Sequence, residues 1–396
     1  MRTSGSRTLI TAVLAGAASL VLASAAAGAA LATPASALAR PAAVDIGRAT
    51  PYGYGGRAVD VNDSGAVAGH EYVLPYSAAA FVWRDGRLTV IPTSGTVAAI
   101  SNTGRIVGAT ETHYNHQAYS YANGRVTLLG YLGGDSRYPS GHQSYATAVN
   151  TLGVVVGYST TDHGTYHSFS YAGGKMRDLG VPRGASDSQA RAVNLSGQAA
   201  GFSTRPGGTN HATVWIAGRA IDLGTLGGAN SYATANNDLG QVVGYSETAL
   251  GAVHAFSWKN GRMTDLGIAP GNTASSAVAV NNHGQVLVYS HGRAAARAYV
   301  WRDGRRTAVT GSGVPRGASI QPVAINERGQ VAGTATLSTG AASAFRWSDG
   351  VATVLPGLTR KGATSASAIN ARGDVVGAAT VNGGDTHAVI WPASAH

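Results

Sequence analysis

The chain has 396 residues, 55 of them glycine, with no cysteine and only 12% charged residues. So much glycine without a collagen period, alongside Val, Thr, Tyr and Trp, suits many short strands joined by tight turns and argues against a mainly helical fold. The formal charge is +10, but Arg87, Arg125, Arg219, Arg262 and Arg305 are scattered over turns, which argues against a nucleic-acid reader.

In chain order, residues 1–39 read first, as a signal peptide. Arg2 and Arg7 precede an apolar stretch from Leu9 to Leu31, followed by Pro34 and the sites Ala35-Ser36-Ala37 and Ala37-Leu38-Ala39. The stretch is long enough for an uncleaved anchor. The small-residue sites favour cleavage after Ala39 and release of residues 40–396 as a single domain. No other segment is apolar enough to cross a bilayer. Without cysteine, an extracellular fold must be held by its own closure and not by disulfides.

The rest of the chain is a repeat. A segment Ala-x-x-Val/Ile-Asn-x-x-Gly recurs at Asn62, Asn150, Asn194, Asn237, Asn281, Asn326 and Asn370, with Ser101 in a further copy. Successive anchors lie 39, 49, 44, 43, 44, 45 and 44 residues apart. Four strand-like pieces follow in fixed order in each copy. The first ends at the Asn, whose side chain can cap the following turn while the Gly takes a positive φ. The second is of the type Val242–Ser246, and the third of the type His254–Trp258. Asp85-Gly86, Asn123-Gly124, Asn260-Gly261, Asp303-Gly304 and Asp349-Gly350 then predict tight hairpins into the fourth strand. That strand ends in Asp-Leu-Gly, as in Asp222-Leu223-Gly224.

Trp83, Trp215, Trp258, Trp301, Trp347 and Trp391, with Tyr121 and Tyr171, share one position of the third strand, where they are expected to pack between repeats. Four strands per repeat of this length is a propeller blade. The last copy stops at Trp391 without a fourth strand, and Val44-Asp45-Ile46-Gly47 supplies a match. The expected fold is therefore an all-β propeller of eight four-stranded blades, closed by Val44–Gly47. An open solenoid is the alternative.

The stretches from Asp222 to Ala233 and from His254 to Trp258 resemble the bacterial HAF extracellular repeat, named for its His-Ala-Phe triplet. The resemblance covers nearly all of residues 40–396. It implies an exported repeat protein and no particular reaction. The His is kept at His167, His211, His254 and His387 and replaced at Ala79, Gln117, Arg297 and Ser343, which reads as structural, as does the recurring fourth-strand Asp.

In a propeller, function lies in loops on one face near the axis. The loops of the first three repeats are the polar ones. They carry His70, Glu71, Tyr72 and Tyr76, then Glu111, His113, Tyr114 and His116, then Asp162, His163 and Tyr166. The long connection into the third repeat adds Asp135, Arg137, Tyr138 and His142. Tyr, His and carboxylates suit recognition of sugars or peptides. The same set could support a hydrolase or lyase, with Glu111 or Asp135 acting beside His113 or Tyr138. Glu111, His113 and His116 are too loosely spaced to define a metal site, and no cofactor is expected. The reading is a monomeric, secreted binding module for an extracellular polysaccharide or protein surface, with a carbohydrate-active enzyme or a purely structural matrix protein as alternatives.

Overall fold

A computed structural model describes residues 42–73, 77–111, 116–133 and 142–393; the leader lies outside them. Every regular element among the described residues is a β-strand. The third repeat is representative. Ser144–Val149, Val155–Thr160, Tyr166–Ala172 and Lys175–Asp178 pair antiparallel in chain order. The hairpin turns take the geometry their residues demand. Asp85, Asn123, Asn260, Asp303 and Asp349 lie at φ between 48° and 53°, each followed by a positive-φ glycine.

The strands form six four-stranded sheets and one seven-stranded sheet, the arrangement of an all-β propeller. The seven-stranded sheet is two ladders sharing one long strand, Arg87–Ile100. Its first part pairs with Ser77–Arg84 and its second with Ile106–Thr110. The 39-residue spacing from Asn62 to Ser101 explains this: it leaves no residues for a crossover between the two repeats.

The anchor asparagines tie neighbouring repeats together. Each is buried, and in each its Oδ1 accepts from the backbone N–H four residues on, as in Gln241 N to Asn237 Oδ1 at 3.0 Å. The amide Nδ2 then donates to the anchor carbonyl of the next repeat. The bonds run Asn62 to Ser101, Asn150 to Asn194, Asn194 to Asn237, Asn237 to Asn281, Asn281 to Asn326 and Asn326 to Asn370, and Asn370 returns to Asn62 at 2.9 Å. Ser101, with no amide, donates no such bond to Asn150.

The two chain ends meet as the sequence implies. Val44–Gly47 pairs antiparallel with Thr386–Trp391, with Val44 opposite Ile390 and Asp45 opposite Val389. Ile46 enters a cluster with Val376, Ala388 and Ile390 from the last repeat and Ala58, Val61, Val67 and Phe81 from the first. Arg48 is ion-paired with Asp385. The His and Asp of the repeat hold the outer strands together through Nδ1: His167 to Asp178, His211 to Asp222, His254 to Asp265 and His387 to Asp45, at 2.8–3.0 Å.

The expectation for the third-strand tryptophans needs correcting. Trp215, Trp347, Trp391 and Tyr121 are buried, but Trp83, Trp258, Trp301 and Tyr171 are only half-buried. The deeper core position lies two residues earlier, at Phe81, Tyr119, Phe169, Phe256, Tyr299 and Phe345. In five of these six repeats the ring faces a second-strand glycine, as Phe169 faces Gly157. Where that position holds Thr213 or Val389, the Trp sinks fully instead.

The asparagine ring has one testable gap. Ser101→Asn should supply the missing bond to Asn150 and raise stability by about 1 kcal/mol, the usual net worth of a buried hydrogen bond. Urea unfolding of the variant checks this; an unchanged midpoint would mean that the two anchors are not held at the spacing of the others.

Candidate functional site

The first strands surround a common axis. At the anchor end, residues from six of them, including Ser101, Asn150, Asn194, Asn237, Val280 and Glu327, line one cavity of about 350 Å³. Every first strand carries a bulge, so one extra residue stands opposite the second strand. Just before the bulge, a first-strand residue pairs with the residue after the second-strand glycine (valine in the sixth repeat). In the third to sixth repeats these pairs are Tyr145 with Tyr158, Gln189 with Phe202, Tyr232 with Tyr245 and Ser276 with Tyr289. In the second, seventh and eighth they are Thr96 with Ala109, Gln321 with Thr334 and Ser365 with Ala378, and in the first Arg57 with His70. Tyrosine and phenylalanine at this pair are therefore concentrated on one arc around the axis.

The rings form stacked pairs. Tyr145 lies 4.9 Å from Tyr158 with 27° between planes, and His116 also stacks with Tyr145 at 5.2 Å. Tyr166 meets Tyr158 edge-on at 5.6 Å. Tyr232 stacks on Tyr245 at 5.0 Å, and Phe202 meets Tyr232 edge-on at 5.1 Å. Tyr289 stacks on His291 at 4.9 Å. The tyrosines are half-buried, with polar partners around them. Gln143 Oε1 accepts from the hydroxyls of Tyr145 and Tyr166, and Asn210 Nδ2 donates to that of Tyr232.

Burial pushes the Tyr145 hydroxyl well above its ordinary range, with smaller upward pushes from Tyr158, Tyr166 and Glu111. It likewise raises Tyr158, Tyr232 and Tyr245, against which the positive charge of Arg191 pulls down. Arg191 sits on the bulge of the fourth repeat, with its guanidinium carbon 5.0 Å from the Phe202 ring centroid.

The residues expected from the sequence fall into three groups. Glu111 and Tyr166 join the arc. Burial raises the Glu111 carboxyl, partly offset by nearby His116. His142 lies 5.5 Å from Tyr131, while Asp162 and His163 are exposed on the turn before Tyr166. His70, Glu71 and Tyr72 are corrected: they belong to the strand Val67–Val73 and not to a loop. Glu71 is 1% exposed, and its Oε2 accepts from the backbone N–H groups of Ala49 and Thr50 at 2.9 Å, so its carboxylate holds the N-terminal segment. Tyr72 packs against His70 and Tyr54. Tyr76, His113, Tyr114, Asp135, Arg137 and Tyr138 lie outside the described residues.

Tyr145, Tyr158, Arg191, Phe202, Tyr232, Tyr245 and Tyr289 were not expected. Their signal is in the repeat itself: compared copy by copy, the position after the second-strand glycine (Val288 in the sixth repeat) is Tyr or Phe only in the third to sixth repeats, with His70 there in the first.

No protein-family model matches the chain, and no curated protein matches it. Solved structures do. The chain is similar to a post-proline cleaving enzyme from Rickettsia typhi at 8% identity, covering 83% of this chain and 58% of that one, with a TM-score of 0.53. It is similar to prolyl endopeptidases at 11% identity, covering 83% of this chain and 54% of that one, also with a TM-score of 0.53. The β-propeller domain of the Trilobed protease from Pyrococcus furiosus matches at 11% identity, covering 78% and 98%, with a TM-score of 0.49. The chain thus spans little more than half the length of the two peptidases. At these identities the likeness shows the fold alone.

His70 provides a pH prediction. Its imidazole is 3% exposed, and Nδ1 accepts from Val97 N. Burial, with a smaller push from Arg57, lowers its pKa to about 4. The folded state thus favours the neutral ring. Its contribution is fully present above the unfolded value near 6.5 and is lost as pH falls toward 4. His70→Gln keeps an acceptor for Val97 and removes this dependence. Unfolding titrations between pH 7 and 4 should show the wild type losing up to about 3 kcal/mol more than the variant; parallel curves would contradict the burial assignment.

Proposed function

We propose that this chain is an exported HAF-type repeat protein, folded as a ring-closed propeller of eight blades, that acts as an extracellular carbohydrate-binding module. The eight-blade reading counts the seven-stranded sheet as two blades sharing one strand. Closure is supported by the Asn370–Asn62 hydrogen bond and the pairing of Val44–Gly47 with the last repeat. Export is argued from the leader sequence alone.

The observation that carries the binding reading is the restriction of stacked, half-buried aromatics to one arc. A purely structural ring would have no reason to break its symmetry there. Tyrosine faces pack on the C–H faces of sugars, while hydroxyls and amides such as those of Gln143 and Asn210 meet sugar hydroxyls. The described residues of this arc present no nucleophile held by a base within hydrogen-bond reach, the pattern that covalent catalysis requires.

Co-sedimentation with insoluble polysaccharides and cell-wall preparations tests the proposal, with soluble product assayed in the same tubes. The full chain should pellet with at least one polysaccharide without releasing product. A Tyr145→Ala, Tyr245→Ala double variant with unchanged near-UV circular dichroism should lose at least tenfold in affinity, since each stacked ring is worth more than 1 kcal/mol. Product release would replace the module with an enzyme. Retained binding in the variant would move the site elsewhere.

A further inference from the structure

We infer that Arg191 anchors a carboxylate, so that the surface takes an acidic polysaccharide of uronic acid units in preference to a neutral glycan. This rests on the binding reading above and narrows its ligand class.

The bulge position holds Val59, Ala98, Thr147, Thr234, Val278, Val323 and Ser367 in seven copies and Arg191 in the eighth. Small or β-branched residues are what the scaffold uses there. Thr147 Oγ1 donates to the carbonyls of Val156 and Ala190, and Thr234 Oγ1 to those of Val243 and Ala277, linking neighbouring sheets. Arginine forgoes that link and sets a cation beside the Phe202 ring.

The guanidinium lies over Phe202, and its charge acts on the hydroxyls of Tyr158, Tyr232 and Tyr245 in the repeats on either side. Its Nη1 is buried and has no hydrogen-bond partner among the described residues. Arg191 also forms no ion pair among them, whereas Arg48, Arg205 and Arg372 each hold an aspartate. A buried, unpaired cationic donor is costly, and the cost is recovered when an anion accepts from it. A guanidinium fork matches a carboxylate in two parallel bonds. Flanked by aromatic rings, the geometry fits a sugar whose ring stacks on tyrosine while its carboxylate meets the arginine.

The test uses the full chain with soluble polygalacturonate and with the same polymer after reduction of its carboxyls to hydroxymethyl groups. Binding is read by titration calorimetry at constant ionic strength. The wild type should bind the acidic polymer at least tenfold more tightly than the reduced one. Arg191→Gln should abolish that preference while retaining affinity for the reduced polymer, and Arg191→Lys should restore only part of it. Arg219→Gln, at an exposed hairpin, should leave the preference unchanged.

Equal affinity of the wild type for the two polymers would overturn the inference, as would equal losses in the Gln variants of Arg191 and Arg219, which would reduce it to general charge attraction. If Arg191→Gln does not fold, competition on the wild type decides: galacturonate must protect tyrosine fluorescence from quenching more strongly than galactose, and equal protection refutes the role of the carboxylate. Binding to neutral insoluble polysaccharide but to neither soluble polymer would refute the acidic ligand and leave the module intact. Absence of all polysaccharide binding would remove both.

Discussion

The structure depends on the buried asparagine that follows seven of the first strands. Its carbonyl oxygen closes its own turn, and its amide donates to the anchor carbonyl of the next repeat. One side chain therefore couples a local turn to the spacing between sheets. Because the group is buried, leaving either end unpaired costs more than the bond is worth on balance, so the coupling is strict. Repeated around the axis, it returns from Asn370 to Asn62, 308 residues away in sequence. With no cysteine in the chain, this ring and the strand exchanged between the two ends take the place that disulfides hold in many exported proteins.

The same local geometry produces the candidate site. In seven of the eight repeats a first-strand carbonyl lies against the second-strand glycine, so closely that a Cβ on Gly157, Gly201 or Gly244 would fall 1.9 Å from it. That close approach accompanies the bulge, and the bulge turns one side chain out of the ladder. The device is the same in every repeat. Function enters where the residues around it differ: tyrosines, a phenylalanine and Arg191 on one arc, and no tyrosine or phenylalanine at the same positions of the other repeats. The outer His–Asp pairs repeat in four copies and bond within their own sheets, the pattern of a scaffold and not of a reaction centre.

Much of the architecture was legible because it is periodic. The spacing of the anchors and the turn residues specify successive four-stranded units, and the match of Val44–Gly47 to a fourth strand anticipates its pairing with Thr386–Trp391. What misled was local chemistry read without depth. Glu71 looked like a surface carboxylate, but its partners, Ala49 and Thr50, come from the N-terminal segment that folds back onto the first repeat. The tryptophans looked uniformly central, yet Trp83, Trp258 and Trp301 are only half-buried. The polar loops of the first three repeats drew attention from the tyrosines of the second strands, which pass in sequence for ordinary strand residues.

The sequence by itself therefore determined the repeat, the order and pairing of strands within it, the turn geometry and the complementarity of the two ends, because each follows from side chains acting on their own or adjacent backbone. Only the tertiary structure decided which residues face the axis together. Tyr145, Arg191 and Tyr245 are separated by about one repeat each, and no local rule joins them. The packing of neighbouring sheets brings them to one arc, where Arg191 Nη1 is buried without a hydrogen-bond partner among the described residues.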